Sequence, residues 1–198
     1  MSKGTITLIV VGVVLVLLIG GSLTTYNGLV QKDEAVSTAW SNVQSQYQRR
    51  ADLIPNLVNT VKGYAQHENA TLEQVVAARA KATQLTVNAD ELTPEKMKQL
   101  QAAQGELSQA LGRLLMITEN YPDLKANENF LDLQAQLEGT ENRINEARQQ
   151  YNAAVQAYNQ SVRRFPNAIF AGMFGFDKME KFEAAAGSEK APTLNFDE

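Results

Sequence analysis

Apolar residues recur every three or four positions along most of the chain, and this spacing constrains the fold more than any other feature. Residues three and four apart share one face of an α-helix, so each series predicts a helix with one buried face. The series are Val36, Trp40, Val43, Tyr47, Ile54, Val58, Val61 and Ala65; Met97, Leu100, Gln104, Leu107, Leu111, Leu114 and Thr118; and Phe130, Leu133, Leu137, Ile144, Ala147, Tyr151, Tyr158 and Val162.

A further helix is predicted between the first two series, at about residues 69–85, and the joining segments are short. Residues 88–94 combine turn and breaker residues, and Pro122 disfavours a helical conformation for the residue before it. The last helix is predicted at about 124–164. Because long helices joined by short turns pack antiparallel at about 20°, residues 26–165 are predicted to form an elongated antiparallel four-helix bundle.

The segment at residues 5–23 carries no charge, and its apolar centre is continuous from Leu8 to Ile19. As a helix it would extend about 28 Å, which is enough to cross the hydrocarbon core. It is therefore predicted to contact the lipid bilayer as a single span. A cleaved signal peptide is the competing interpretation, because small residues follow at 20–22. The long apolar run and the missing A-x-A site favour a retained anchor.

Three regions follow from these patterns: a membrane anchor helix at 1–25, the helical bundle at 26–165 and a tail at 166–198. The predicted fold class is all-α, with an N-terminal transmembrane helix followed by the bundle. Lys3 precedes the span and Lys32 follows it. Together with the terminal amine, this distribution slightly favours a cytoplasmic N-terminus and an exported bundle.

The tail begins with an apolar segment at residues 166–176. Four helical passes would return the chain to the bilayer, where this segment either packs on the base of the bundle or contacts the membrane or a partner. Its large apolar side chains are the candidate contact residues: Ile169, Phe170, Met173, Phe174 and Phe176.

Pro55 interrupts the hydrogen bonding of the first helix without breaking its apolar phase. It has no N–H for the Ala51 carbonyl and costs about 3 kcal/mol inside a helix. Either one helix bends there, or a second helix begins with Asp52 as its N-cap. Arg49 and Arg50 are candidates for contact with a partner or an anion; the alternative is that they pair with backbone groups at the bend.

Two polar patterns mark the last helix. A cluster around Glu141 and Arg143 suggests a Glu–Arg pair between helices, which would set their register. Tyr–Asn pairs recur at 151–152 and 158–159, seven positions apart, as on one face of a coiled-coil-like helix.

Composition excludes several classes of function. The chain has no cysteine and a single histidine, His67, so thiol chemistry is excluded and no convergent set of metal ligands is readable. Neither a Ser-His-Asp set nor a glycine-rich phosphate loop occurs, so no catalytic, cofactor-binding or metal residues are predicted, and the chain is predicted not to be an enzyme. The net charge of -4 without a basic stripe argues against nucleic acid as a partner.

The residues themselves resemble the LemA family of bacterial membrane proteins over nearly the whole chain. The stretches that carry the resemblance are YNGLVQKDEAVSTAWSNVQSQYQRRADLIPNLVNTVKGYAQHE (26–68), VVAARAKA (75–82), TENYPDLKANENFLDLQAQLEGTENRINEARQQYNAAVQAYN (118–159) and FPNAIFAGMFGF (165–176). The resemblance implies an N-terminal membrane helix followed by an antiparallel four-helix bundle. It supplies no catalytic residues, and it implies roles in membrane-associated assembly, the envelope or stress, with one branch at organelle membranes of magnetic bacteria.

The expected function is that of a non-enzymatic, single-pass scaffold or assembly module at the bacterial inner membrane. The alternative is an accessory partner that regulates a neighbouring membrane enzyme such as a protease or phosphatase. Expected partners are the bilayer, other membrane proteins and a second copy of the chain, and no cofactor is expected.

Overall fold

The computed structural model describes residues 2–85 and 87–183, and every regular element within them is helical. The all-α prediction is therefore confirmed. The predicted regions 1–25 and 166–198 extend to Met1 and to 184–198, which lie outside the described residues. The elements are α1 (Lys3–Tyr64), α2 (Asn69–Gln84), a 3₁₀ turn (Ala89–Glu91), α3 (Pro94–Thr118), α4 (Pro122–Lys125), α5 (Glu128–Arg163) and α6 (Asn167–Phe174).

Helix α1 runs without interruption through Pro55, so the alternative of a second helix beginning at Asp52 is wrong. The Ala51 carbonyl, which receives no N–H from Pro55, is instead bonded by a side chain of α2. The Nε of Arg79 lies 2.7 Å from the Ala51 oxygen and donates to it. An arginine does serve the freed carbonyl, but it comes from the next helix rather than from the segment around the proline.

The long helices pack antiparallel in pairs. At one end of the α1–α5 pair, Trp40 packs on Tyr151 with ring centroids 5.3 Å apart. At the other end, Asn127 Nδ2, at the start of α5, donates to the hydroxyl of Tyr64 at 2.9 Å. Helix α2 returns along α1, and α3 reverses direction again along α2. The side chain of Lys81 on α2 forms an ion pair with Glu106 on α3.

The last long helix begins later than its apolar pattern predicts. The chain leaves the helical conformation after Lys125, and Asn127 caps a new helix by accepting the N–H of Phe130 at 3.0 Å. Asparagine is favoured at such a cap because its side-chain oxygen satisfies an N–H that has no partner inside the helix. The predicted single element at 124–164 is thus two helices, α4 and α5.

Buried apolar side chains form two clusters, one above the other along α1. The first core contains Leu29, Val36, Trp40, Val43, Tyr47, Met97, Leu100, Ile144, Tyr151, Val155, Tyr158 and Val162. The second core contains Ile54, Leu57, Val61, Leu72, Val75, Leu107, Leu111, Leu114, Leu124, Phe130 and Leu137. Every member of the predicted α3 series is buried, whereas Val58 and Leu133 are only half-buried. The buried Leu57 and Val155 were not predicted.

We expect Arg79→Met to lower the free energy of unfolding by about 1.5–3 kcal/mol, because the Ala51 carbonyl loses a charged donor. In a Pro55→Ala background the new backbone N–H can bond to this carbonyl, so the same Arg79→Met change should cost less. Denaturant unfolding of the four proteins of this double-mutant cycle measures the difference.

The control for this cycle is Arg143→Met, which removes an exposed arginine from α5 and should not depend on Pro55. Equal costs for Arg79→Met in both backgrounds would mean that the arginine does not compensate for the proline.

Candidate functional site

Arg50, one of the two arginines predicted as contacts, is buried inside the molecule. Its residue exposure is 2%. Nη1 donates to Glu141 Oε2 at 2.7 Å and to Ser108 Oγ at 2.9 Å, and Nη2 donates to Gln104 Oε1. The inter-helix Glu–Arg pair that the sequence suggested around Glu141 thus uses Arg50. A partner bound at the surface would not reach this guanidinium.

We call Arg50, Gln104, Ser108 and Glu141 the polar layer. It lies between the two apolar cores and joins α1, α3 and α5 at one level. A buried guanidinium is costly unless its charge and its N–H groups find partners, so a shift of one helix turn would leave it unpaired. The polar layer therefore sets the relative positions of these three helices. On each helix it is flanked by one residue of each core: Tyr47 and Ile54, Leu100 and Leu107, and Leu137 and Ile144.

Arg49 lies at the surface, on an open groove of about 930 Å³ between α1, α2 and α3. Asp52 lines the same groove, and its carboxylate accepts the side-chain N–H of Gln48 at 2.7 Å. The remaining wall is mainly glutamine, serine and apolar side chains. Since a carboxylate lines the groove together with the arginine, the groove does not have the concentrated positive charge of an anion site.

Helix α6 lies at the base of the molecule beside Tyr26, three residues beyond the predicted span at 5–23. The ring of Tyr26 is 5.1 Å from that of Phe174 and 5.7 Å from that of Phe176, both edge to face. Phe170 and Phe176 are half-buried. Part of the segment therefore packs on the base, as one of the two interpretations predicted.

The other side of α6 exposes large apolar side chains. Ile169 is 56% exposed, Met173 72% and Phe174 45%. We call these three residues the basal surface. The candidate contact residues of the tail are thus divided between a packed face and an exposed one.

The first part of α1 is also strongly apolar and open. Among the described residues, no helix is both long enough and apolar enough to cross a membrane. The single span at 5–23 stays a prediction. In the part of this stretch whose side chains the structure describes, nine large apolar side chains are nevertheless exposed: Leu8, Ile9, Val10, Val11, Val13, Leu15, Val16, Ile19 and Leu23.

Beyond α6 the chain turns back at Gly175, and residues 177–183 run along α5 without forming a helix. We call 177–183 the return segment. Asn152 pairs with the backbone of Phe182: its Nδ2 donates to the carbonyl at 3.0 Å, and its Oδ1 accepts the N–H at 2.8 Å. Asn159 pairs with Met179 in the same way, at 2.8 and 2.9 Å.

The Tyr–Asn pairs therefore share one face of α5, as their spacing predicted, but the asparagines of that face bind an extended chain and not another helix. The hydroxyl of Tyr151 also donates to the Glu180 carbonyl at 2.9 Å. Sequence reasoning missed the return segment because 177–183 has no helical or strand periodicity.

The side chain of Phe182 anchors the return segment in an aromatic site between α1 and α5. Its ring stacks on Trp40 with centroids 5.9 Å apart and meets Tyr151 edge to face at 5.4 Å. The guanidinium of Arg148 lies 5.0 Å from the ring centroid, and its Nε donates to the Tyr47 hydroxyl at 2.8 Å. Phe182 is 9% exposed, so the aromatic site is nearly closed over it.

Burial controls the protonation of the tyrosines beneath the return segment. Burial raises the pKa of Tyr158 to about 12, and the negative charges of Asp33 and Asp177 act in the same direction. Burial, followed by the charge of Glu180, also raises the pKa of Tyr151 far above its usual value. A tyrosine is already protonated at physiological pH, and the raised pKa extends to more alkaline pH the range over which the Tyr151 hydroxyl can donate to the return segment.

The single histidine, His67, and the neighbouring Glu68 lie in different environments. His67 lies exposed in the turn between α1 and α2, while the Glu68 carboxylate accepts the Tyr121 hydroxyl at 3.0 Å. In the part of the chain that the structure describes, no three histidine, aspartate or glutamate side chains approach one another as metal ligands would.

Comparison with known proteins gives one family and several relatives. The sequence profile of the LemA family matches residues 39–196. Magnetosome protein MamQ 2 of Paramagnetospirillum magneticum is 27% identical over 178 residues, which is 81% of this chain and 65% of that protein. Magnetosome protein MamQ of Magnetospirillum gryphiswaldense is 28% identical over 183 residues, which is 83% of this chain and 67% of that protein. Protein LemA of Metamycoplasma hominis is 26% identical over 126 residues, 64% of this chain and 54% of that protein. The chain thus spans about two thirds or less of the length of these relatives.

We expect Arg50→Ala to lower the free energy of unfolding by about 2–4 kcal/mol, because the buried Gln104 oxygen loses its donor, Glu141 loses its ion pair and the buried volume of the arginine is left empty. Arg50→Lys should recover only part of this loss, since an ammonium group cannot replace the fork of a guanidinium. Chemical denaturation followed by circular dichroism measures both changes.

Arg49→Ala is the matched control, because the neighbouring arginine is exposed and its removal should change stability by about 0.5 kcal/mol or less. Similar losses from Arg49→Ala and Arg50→Ala would contradict the polar layer as the determinant of helix register.

Proposed function

Because the chain belongs to the LemA family, we propose that it is a single-pass protein of the bacterial inner membrane. Residues 5–23 would form its anchor, and its antiparallel four-helix bundle would act as a non-enzymatic scaffold. The observation that carries this proposal is the position of the exposed apolar side chains. Those of residues 8–23 and those of the basal surface lie at the same end of the molecule.

Exposure of this many apolar side chains to water would be unfavourable. Moving one Val, Leu or Ile side chain out of water is worth about 1.5–3 kcal/mol. Within the described residues, the exposed side chains between Leu8 and Leu23 belong to one uninterrupted helix that continues into the first core. A lipid bilayer would cover them on all sides, as a single span requires.

The basal surface supports the same arrangement. Tyr26 follows the proposed span directly and contacts Phe174, so α6 lies at the level where the span would leave the hydrocarbon. Tyrosine is favoured at this level because its ring is apolar and its hydroxyl is polar. Ile169 and Met173 would then rest in the interfacial region of the bilayer. The distribution of Lys3 and Lys32 favours an exported bundle.

A scaffold role is favoured over catalysis because the polar groups inside the molecule are used for structure. The polar layer joins three helices, Arg79 serves a backbone carbonyl, and the asparagines of α5 hold the return segment. The matches to Protein LemA and to proteins named as magnetosome proteins support the family on which this proposal rests.

We expect a fluorophore attached at Met173→Cys to be quenched by lipids that carry a quencher near their headgroups. Since the chain has no native cysteine, the label is attached at one position only. Met116→Cys is the matched control, because Met116 lies on α3 and, at 68%, is nearly as exposed as Met173. Equal quenching at both positions, or none at Met173, would place the basal surface away from the bilayer.

We also expect a general amine-reactive crosslinker in native membranes to give a ladder of copies of this chain, as a scaffold would. A single crosslinked species of fixed stoichiometry with a foreign membrane enzyme would instead support the accessory role.

The side of the membrane on which the bundle lies has its own test. An impermeant thiol reagent that labels Met116→Cys only after lysis would contradict the exported bundle.

A further inference from the structure

The spacing of Asn152 and Asn159 on α5 matches the spacing of their backbone partners in the return segment. Asn152 and Asn159 are seven positions apart on a helix, a distance of about 10.5 Å. Their backbone partners, Phe182 and Met179, are three positions apart in a non-helical chain. Three extended residues cover about 9–10 Å. The two spacings agree closely enough for each asparagine amide to pair with both backbone groups of a single residue.

This pairing recognises a peptide rather than a particular sequence. Each asparagine supplies one donor and one acceptor to the main chain, as a neighbouring β-strand would, and the Tyr151 hydroxyl adds a fifth hydrogen bond, to the Glu180 carbonyl. Selectivity comes from the aromatic site, which holds Phe182 between Trp40 and Arg148. The surface is therefore suited to an extended segment with an aromatic residue three positions after its first paired residue.

We call the surface formed by Tyr151, Asn152, Asn159 and the aromatic site at Trp40 the tail groove. We infer that the tail groove is a peptide-binding site that takes the return segment of a second copy of the chain, so that neighbouring copies exchange their tails. Every copy carries both the tail groove and a segment that fits it. An exchanged segment makes the same hydrogen bonds and aromatic contacts as one bound within its own chain, so the exchange sacrifices no contact. The inference rests on the proposed membrane scaffold and names its partner.

The proposed anchor makes the exchange geometrically simple. Lys32 Nζ lies 3.5 Å from the Ala157 carbonyl, which fixes the height of the tail groove on α1. Along the helix axis, Lys32 lies about 14 Å beyond Leu23, where the proposed span ends. Anchored copies would therefore present their tail grooves at one height above the bilayer. Confinement to the membrane raises the effective concentration of neighbouring segments.

The joint that allows the exchange is Gly175. It ends α6 with a φ of 75°, in the left-handed region that suits glycine, and the chain reverses direction there. Helix α6 and Phe176 can thus stay packed against Tyr26 while residues 177–183 follow either their own α5 or that of a neighbour. Residues 177 and 178 separate Phe176 from Met179, the first residue held by α5, and these three steps cover about 10 Å. The exchange therefore takes place with a copy packed directly beside the tail groove.

The test uses two full-length proteins, one carrying Gln156→Cys on α5 and the other Lys181→Cys in the return segment. These side chains contact each other at 3.4 Å when the segment is docked. The two proteins are mixed in reconstituted bilayers and treated with a short bismaleimide. We expect a mixed dimer linked between positions 156 and 181, about tenfold more abundant than with Gln109→Cys, an exposed position on α3, in place of Gln156→Cys.

Adding Asn152→Asp and Asn159→Asp to the chain with Gln156→Cys should reduce the mixed dimer about tenfold or more, because each change removes the donor that bonds to a carbonyl. Asn142→Asp and Asn145→Asp change exposed asparagines of the same helix and should leave the yield unchanged.

Three results would overturn the exchange. The first is a link within the double variant Gln156→Cys, Lys181→Cys without any mixed dimer, which would assign the segment to its own chain only. The second is a yield that equals the Gln109→Cys collision control. The third is capture of a foreign peptide by the tail groove in native membranes instead of a second copy. If any of these results is obtained while the general amine-reactive crosslinker still gives a ladder of copies, the tail exchange is rejected and the scaffold proposal stands.

Discussion

The buried guanidinium of Arg50 is the constraint on which the arrangement of the long helices depends. It draws acceptors from α3 and α5 to one level of α1 and separates the two apolar cores. Apolar stripes alone tolerate sliding by a helical turn, because one apolar contact resembles the next. A buried charge does not tolerate it, since an unpaired guanidinium in the core would cost several kcal/mol. The polar layer thus fixes a single register for the packed helices.

At the base of the molecule a different interaction operates. The return segment is held by amide-to-backbone pairing and by a single aromatic side chain. Backbone groups in a loop need partners as much as those in a helix do, and the asparagines of α5 supply them without a second strand. The same end of the molecule carries the basal surface, so the segment most accessible to exchange lies next to the surface proposed to contact lipid.

The helical part of the fold could be predicted from the sequence because helix periodicity is a local property. All seven residues of the α3 series, from Met97 to Thr118, are buried. The partners of polar side chains could not be predicted in the same way. Arg79 reaches a carbonyl 28 positions away, and Asn152 binds a residue 30 positions away. The apolar side chains at 169–174 were visible in the sequence, but their division into a packed and an exposed face was not, and neither was the aromatic site for Phe182.

The sequence by itself determined that the described chain is helical, where α2 and α3 begin and end, and which face of each long helix is apolar. The tertiary structure decided that Arg50 is inside while Arg49 is outside, that α1 passes through Pro55 unbroken, and that the tail binds α5. The physical reason is the range of the interactions. Helix propensity and apolar spacing act over a few residues, whereas a buried charge or a loop amide finds its partner only when distant segments meet.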